Sequence, residues 1–257
     1  MTDRDVTLLI LLPTPGHVVT EFMMSMIGLT QELRARRIRF QVKTYAFSDI
    51  VMSRNYLMSL FQSRKIFTHA LWLDSDIEFA PEQVFRLLDQ QVDFAVAPYP
   101  SRRMSPDAFY RAVVENEGLP ESERGDAHAV FARSLSYVLN QTAFSADWTR
   151  KQNGDFATVP SCGMGFSLMR RNVPETLVAR RIARDMSVHG RLPIYRDAPE
   201  FHDYFSHVTP PGGNRMFGED QSFCYRWVAE AGGDIWMDTK ARLTHHGSYG
   251  FAGQFPT

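Results

Sequence analysis

His69-Ala70-Leu71-Trp72-Leu73-Asp74-Ser75-Asp76-Ile77 is a short apolar run that stops on two carboxylates one residue apart. A run of this length and composition suits a strand buried on both faces, as in sheets covered by helices. Upstream, Val6 to Leu12 reads as a second such strand, and Pro13-Thr14-Pro15-Gly16 breaks it into a loop. A helix is expected from about Val19 to Arg36, then a strand from Arg39 to Ala46. Ile50, Val51, Arg54, Leu57, Met58 and Phe61 recur at helical spacing behind a Ser48 cap. Downstream, Pro81 suits the first turn of a helix carrying Val84, Phe85, Leu87 and Leu88, and Val92 to Ala97 supplies a fourth strand. This alternation predicts an α/β class with a largely parallel sheet and helices on both faces. Such sheets bind ligands beyond the carboxyl ends of their strands, where Pro13 to Gly16 and Asp74 to Asp76 both fall.

From Ser101 to about Lys151 the pattern turns polar and weakly periodic, which reads as an insertion of short helices and loops. Strands resume at Phe156 to Pro160 and Gly165 to Met169, separated by Ser161-Cys162-Gly163-Met164 and followed by an arginine-rich helix. His189 to Gly213, rich in proline and glycine, predicts a long ordered loop or flap. Glu219 to Ala231 reads as a helix with Phe223, Cys224, Trp227, Val228 and Ala231 on its apolar side, ended by Gly232-Gly233 in a left-handed cap. Asp234 to Asp238 is the last expected strand, leading into Leu243-Thr244-His245-His246-Gly247.

The 257 residues, 44% hydrophobic, suffice for one core, so a single domain over 1–257 is expected. Its parts would be a 1–103 half, a 104–151 insertion and a 152–257 half. The net charge of -1 gives no global field toward nucleic acid or anionic lipid. Cys162 and Cys224 are too few and too far apart to staple the fold or form a metal motif, which favours a reducing compartment. Val6 to Leu12 is too short for a membrane span and lacks the flanks of a signal peptide. A cytoplasmic location is expected, with a peripheral position at the inner membrane left open.

Several residues could carry chemistry, each beside a plainer reading. Asp74 and Asp76 can approach one hard cation that bridges a diphosphate, or form a polar turn. Glu219-Asp220 opens a helix, where acidic residues are favoured by the dipole, yet one of them could deprotonate an acceptor hydroxyl, and Asp220 is the candidate base. His245 and His246 are either a surface pair or the source of an imidazole ligand. Arg54-Asn55 either snorkel and cap a loop or reach a base or phosphate. Arg170, Arg171, Arg180, Arg181 and Arg184 suit a solvated helix face.

In their order along the chain, Ser53-Arg54-Asn55, Leu73-Asp74-Ser75-Asp76-Ile77, Gly163-Met164-Gly165-Phe166, Gly218-Glu219-Asp220 and Leu243-Thr244-His245 resemble bacterial and phage glycosyltransferases of the GT-A fold, family 2-like. The resemblance implies a Rossmann-like nucleotide-diphospho-sugar transferase domain, its mainly parallel mixed sheet flanked by helices. It implies that Asp76, with Asp74 and His245, holds Mn²⁺ or Mg²⁺ with the donor diphosphate. It places Pro13, Thr14, Pro15, Arg54 and Asn55 at the nucleoside, Asp74 and Ser75 at the donor, and Gly163, Met164 and Gly165 near donor sugar and acceptor. Asp220, with Glu219 beside it, falls on the acceptor-activating position. The tandem His245-His246 departs from the pattern and leaves the ligand assignment resting on Leu243-Thr244.

The expected reaction is sugar transfer from a nucleotide-sugar, UDP-linked first and GDP-linked next, to a hydroxyl of a glycan, lipid-linked saccharide, protein or modified nucleic acid. With Asp220 as base it inverts the anomeric centre; in a retaining transfer Asp220 would orient the acceptor. Two rivals stand beside it. An Asp-nucleophile phosphatase or phosphotransferase would carry its acidic pair after the first strand, not the third. A noncatalytic nucleotide-binding module would need neither Asp220 nor His245.

Overall fold

The computed structural model describes residues 6–187 and 200–255. The first half runs β1 (Thr7–Thr14), α1 (Thr20–Ala35), β2 (Arg39–Ala46), α2 (Ile50–Ser63), β3 (His69–Leu73), β4 (Ile77–Glu78), α3 (Pro81–Asp89), β5 (Phe94–Val96) and β6 (Pro100–Met104). Then come α4 (Pro106–Glu117), α5 (Ala127–Arg133), β7 (Leu135–Tyr137), β8 (Leu139–Asn140), β9 (Gln152–Asn153), β10 (Phe156–Val159), β11 (Ser161–Cys162), β12 (Phe166–Arg170) and α6 (Asn172–Ala179). The chain continues with β13 (Arg184–Asp185), β14 (His202–Asp203), α7 (Glu219–Tyr225), a π-helical turn (Arg226–Glu230), β15 (Ile235–Asp238), β16 (Arg242–His246) and β17 (Gly250–Gln254).

Among the described residues the central sheet has eight strands in the order β2-β1-β3-β12-β5-β15-β10-β9. β1 is parallel to β2 and β3, and β15 to β5, whereas β12 lies antiparallel between β3 and β5. The α/β architecture expected from the sequence is therefore present as a mixed sheet with helices on both faces. The continuous apolar reading of β1 has its cause here, because alternate side chains enter different cores. Leu8, Ile10 and Leu12 pack with Phe22, Leu29 and Val84 on the α1 and α3 face. Leu9 and Leu11 pack with Leu57, Phe61, Leu177 and Phe223 on the α2, α6 and α7 face.

A smaller sheet has the order β17-β16-β4, and its β4 follows β3 directly through Asp74 to Asp76. Its register sets His245 opposite Ile77, and the His246 amide donates to the Asp76 carbonyl at 2.8 Å. The insertion is more regular than expected: α4 has 12 residues, and β7 pairs with β6 just ahead of it.

Some local expectations shift. Asp49 replaces Ser48 as the cap of α2, its carboxylate accepting from the Met52 amide at 3.1 Å. Arg171 is not on a solvated face: its guanidinium donates to the carbonyls of Phe61, Gln62, Arg64 and Phe67, closing the carboxyl end of α2. The left-handed cap falls on Gly232, at φ 70°. The loop expected over His189 to Gly213 lies in part outside the described residues. Among the described residues no helix is long and apolar enough to cross a membrane.

Candidate functional site

A cleft of about 790 Å³ opens at the carboxyl ends of β1, β2 and β3. Pro13, Thr14 and Pro15 form one wall, where the Thr14 hydroxyl donates to the His17 carbonyl and Gly16, at φ 109°, takes a left-handed conformation that favours glycine. Ala46, Phe47, Ser48, Ile50 and Ser53, from the β2–α2 connection and the start of α2, form a second wall. Asp74, Ser75, Asp76, Arg102, Glu219, Asp220 and His245 complete the lining, with Arg54 at its base. Asp74, Asp76 and Asp220 keep 26%, 24% and 22% of their side chains exposed, so all three carboxylates are partly open.

Arg54 organises the floor. Its side chain is 3% exposed, and Nη2 lies 3.4 Å from both Asp74 Oδ1 and Asp220 Oδ1. The guanidinium sits 5.8 Å from the Trp72 ring centre and 6.0 Å from that of Phe205, within cation–π reach. Burial opposes its charge, but Asp220 and Asp74 outweigh burial and hold it protonated more firmly than usual. Trp72 and Asp74 share the α2 side of the sheet by strand alternation, which explains why one arginine meets both.

Burial pushes the Asp220 carboxyl up to about 7; Arg54 opposes the shift, Glu219 and Asp74 add to it, and the Met164 amide opposes it again. Asp220 does not cap its own helix. Its Oδ2 accepts from the Met164 amide at 3.1 Å, while Oδ1 is enclosed against Arg54 without hydrogen-bond geometry. Burial likewise raises Asp74, against the pull of Arg54. Asp76 moves the other way, since hydrogen bonding and charge from His245 and the charge of Arg102 overcome burial.

Strand alternation settles which histidine faces the cleft. His245 Nε2 lies 3.4 Å from Asp76 Oδ1, whereas His246 Nε2 meets Glu78 Oε2 at 2.8 Å. His245 Nδ1 is 2.9 Å from the Pro100 carbonyl, which can only accept, so Nδ1 carries a proton. Nε2 is thereby left to face the Asp76 carboxylate. An imidazole anchored through its far nitrogen beside a carboxylate is the arrangement metal-binding histidines use. Asp74 is turned to Arg54. Among the described residues no group of three or more His, Cys, Asp or Glu side chains is gathered as a metal cage, so Asp76 and His245 stand as a two-member pair.

Other expected donor contacts stand elsewhere. Asn55 is buried and turned away from the cleft, because adjacent helical residues point about 100° apart. Its Oδ1 accepts from the amides of Tyr204 and Phe205 at 2.8 and 2.9 Å, and Nδ2 donates to Asp203 Oδ1 at 3.3 Å. Ser59, one turn on, binds the His202 amide at 3.0 Å. Asn55→Ala is expected to cost about 1–3 kcal/mol for each amide left unpaired. Thermal melting should fall by several degrees while nucleotide affinity at low temperature stays at the wild-type value; a selective loss of affinity would restore Asn55 to the donor site.

Gly163, Met164 and Gly165 do not line the cleft but back it. A side chain on Gly165 would collide with Asp74 and with the Tyr99 hydroxyl, which accepts from the Gly165 amide at 3.1 Å. Sequence reasoning missed Tyr99, Arg102 and Phe47. Tyr99 packs edge-on to His245 at 5.2 Å, and its signal was a tyrosine between two prolines at a strand end. Arg102 Nη1 lies 2.8 Å from Asp76 Oδ2, and it was hidden at the edge of the insertion.

No protein-family model matches the chain, and no curated protein matches it. Among solved structures the chain is similar to A197 from STIV at 15% identity, covering 94% of this chain and 85% of that one with a TM-score of 0.45. It is also similar to S. aureus TarS 1-349, solved in complex with UDP, at 14% identity and a TM-score of 0.25, covering 41% of this chain and 40% of that one.

Proposed function

We propose that the chain is a metal-dependent GT-A glycosyltransferase, moving a sugar from a nucleoside-diphosphate donor, UDP-linked first and GDP-linked next, to an acceptor hydroxyl. The observation that carries this reading is one cleft holding both a raised carboxyl and an aspartate–histidine pair. Asp220, its carboxyl near 7, shares it with Asp76 and His245, which face each other at 3.4 Å. The lining holds four carboxylates, Asp74, Asp76, Glu219 and Asp220, against the arginines Arg54 and Arg102. A diphosphate would be repelled from such a cleft without a divalent cation, so the donor set fits Mn²⁺ or Mg²⁺.

Asp76 and His245 would hold the cation, which when bound stabilises charge on the leaving diphosphate. Asp74, paired with Arg54, is then free to meet the donor ribose or a water on the cation. Phe47 and Ile50, 42% and 40% exposed, offer apolar surface to the nucleobase. Asp220 Oδ2, fixed by Met164, would accept the proton of the acceptor hydroxyl as its oxygen attacks the anomeric carbon, giving inversion. Glu219 raises the proton affinity of Asp220.

A nucleotide-sugar screen by thermal melting, with and without Mn²⁺, tests the reading, because a ligand at 100 times its Kd adds about 2.7 kcal/mol to native stability. Melting should rise with UDP or GDP sugars only when Mn²⁺ is present, and Asp76→Ala should abolish the rise. A metal-independent rise that persists in Asp76→Ala would defeat the metal assignment.

A further inference from the structure

We propose that Arg102 is an exchangeable partner of Asp76: it occupies the cation's carboxylate in the free protein and transfers to the donor diphosphate when cation and nucleotide bind. This rests on the transferase reading of the same cleft. Asp76 is doubly engaged, with His245 on Oδ1 and Arg102 Nη1 on Oδ2 at 2.8 Å. A guanidinium and a divalent cation on one carboxylate repel each other, so Arg102 must withdraw when the cation arrives. The other arginine in the cleft lining cannot take its place, since Arg54 is buried between Asp74 and Asp220.

The local structure anchors the backbone of Arg102 and leaves its head movable. β6 is tied to β7 at Pro100 with Tyr137 and at Met104 with Leu135, and the register is irregular between these points. Arg102 lies in that irregular stretch, where bulges commonly re-aim a side chain toward a site. Its stem runs against Gly247: a Cβ there would lie 2.9 Å from Arg102 Cδ, so the turn after β16 leaves a path for the arm. The side chain is 51% exposed, and a planar fork suits two oxygens of a phosphate as well as it suits a carboxylate.

The exchange couples the two ligands. A cation alone must displace Arg102 with nothing to receive it, whereas a nucleoside diphosphate supplies the receiving oxygens. The two therefore assist each other, within the five- to 150-fold range common for such coupling. Arg102→Met should bind Mn²⁺ alone about tenfold more tightly than wild type. At saturating Mn²⁺ the same variant should bind UDP or GDP about tenfold more weakly. Calorimetric titration reads both signs on the intact chain. A merely structural role for Arg102 would weaken both ligands together. Unchanged or weaker Mn²⁺ binding, or undiminished nucleotide affinity, overturns the exchange while leaving the transferase reading in place. A wild-type protein that binds neither UDP nor GDP at any Mn²⁺ concentration overturns both.

Discussion

Asp220→Asn is expected to lower the transfer rate by about 10²–10⁴-fold, the range that a positioned general base contributes. The substitution preserves shape, and an amide oxygen can still accept from Met164, so the fold should survive. In the wild type the rate constant should climb as pH rises through about 7, where the carboxyl loses its proton, and the variant should lack that limb. Stability supplies an independent check with a defined sign. The folded carboxyl holds its proton to about 7 against an ordinary value of 3.8. Its contribution is therefore present at low pH and lost as pH rises between those values. Asparagine carries no such proton, so melting of the variant relative to wild type should rise from pH 5 to pH 8. Normal turnover in Asp220→Asn would refute the base assignment; a melting offset indifferent to pH would refute the raised carboxyl.

Much of the fold was legible because the strands of a covered sheet announce themselves. Apart from Thr7 and His69, the runs Val6 to Leu12 and His69 to Leu73 are apolar throughout, since alternate side chains enter separate cores. The antiparallel insertion of β12 between β3 and β5 was not legible, because Phe166 to Arg170 reads the same in either direction. The regularity of the insertion was missed for a related reason. α4 buries only Ala112 fully, which leaves almost no apolar period to read.

At the site, the acidic pair and His245 were legible as types in order, and the register of β16 on β4 explains how residues so far apart in sequence meet. What a linear reading could not give was direction. Arg54 and Asn55 are neighbours in sequence, yet one lies beneath the cleft and the other stitches Tyr204 and Phe205 to α2. Gly163 and Gly165 mark the site from behind, where Tyr99 leaves no room for a side chain at either and Asp74 crowds Gly165 as well. Arg171 looked like surface charge because a sequence does not display the open carbonyls at the end of α2.

Arg54→Met should cause a large loss of stability. The guanidinium is the shared partner of Asp74 and Asp220, and both of those carboxyls are already raised by burial while it is present. Removing one partner of a buried charge pair typically costs about 3–5 kcal/mol, because the remaining charge is left uncompensated. In a chain of this size each kcal/mol lowers melting by roughly 2–4 °C, so the expected fall is large enough to see directly. The carboxylates, not the lost stacking on Trp72 and Phe205, should dominate the cost, and a second substitution separates the two. Adding Asp220→Asn to Arg54→Met removes one stranded charge and should recover about 0.5–3 kcal/mol, the range of coupling between contacting residues. Lysine at position 54 should restore less than wild type, since a single ammonium on a shorter arm cannot serve two carboxylates as a fork does. If Arg54 were only a contact to the donor, Arg54→Met would melt with the wild type in the absence of nucleotide, and Asp220→Asn would rescue nothing. The rescue is thus the decisive measurement, because it assigns Arg54 to the pair of carboxylates beside it in the cleft and not to a ligand.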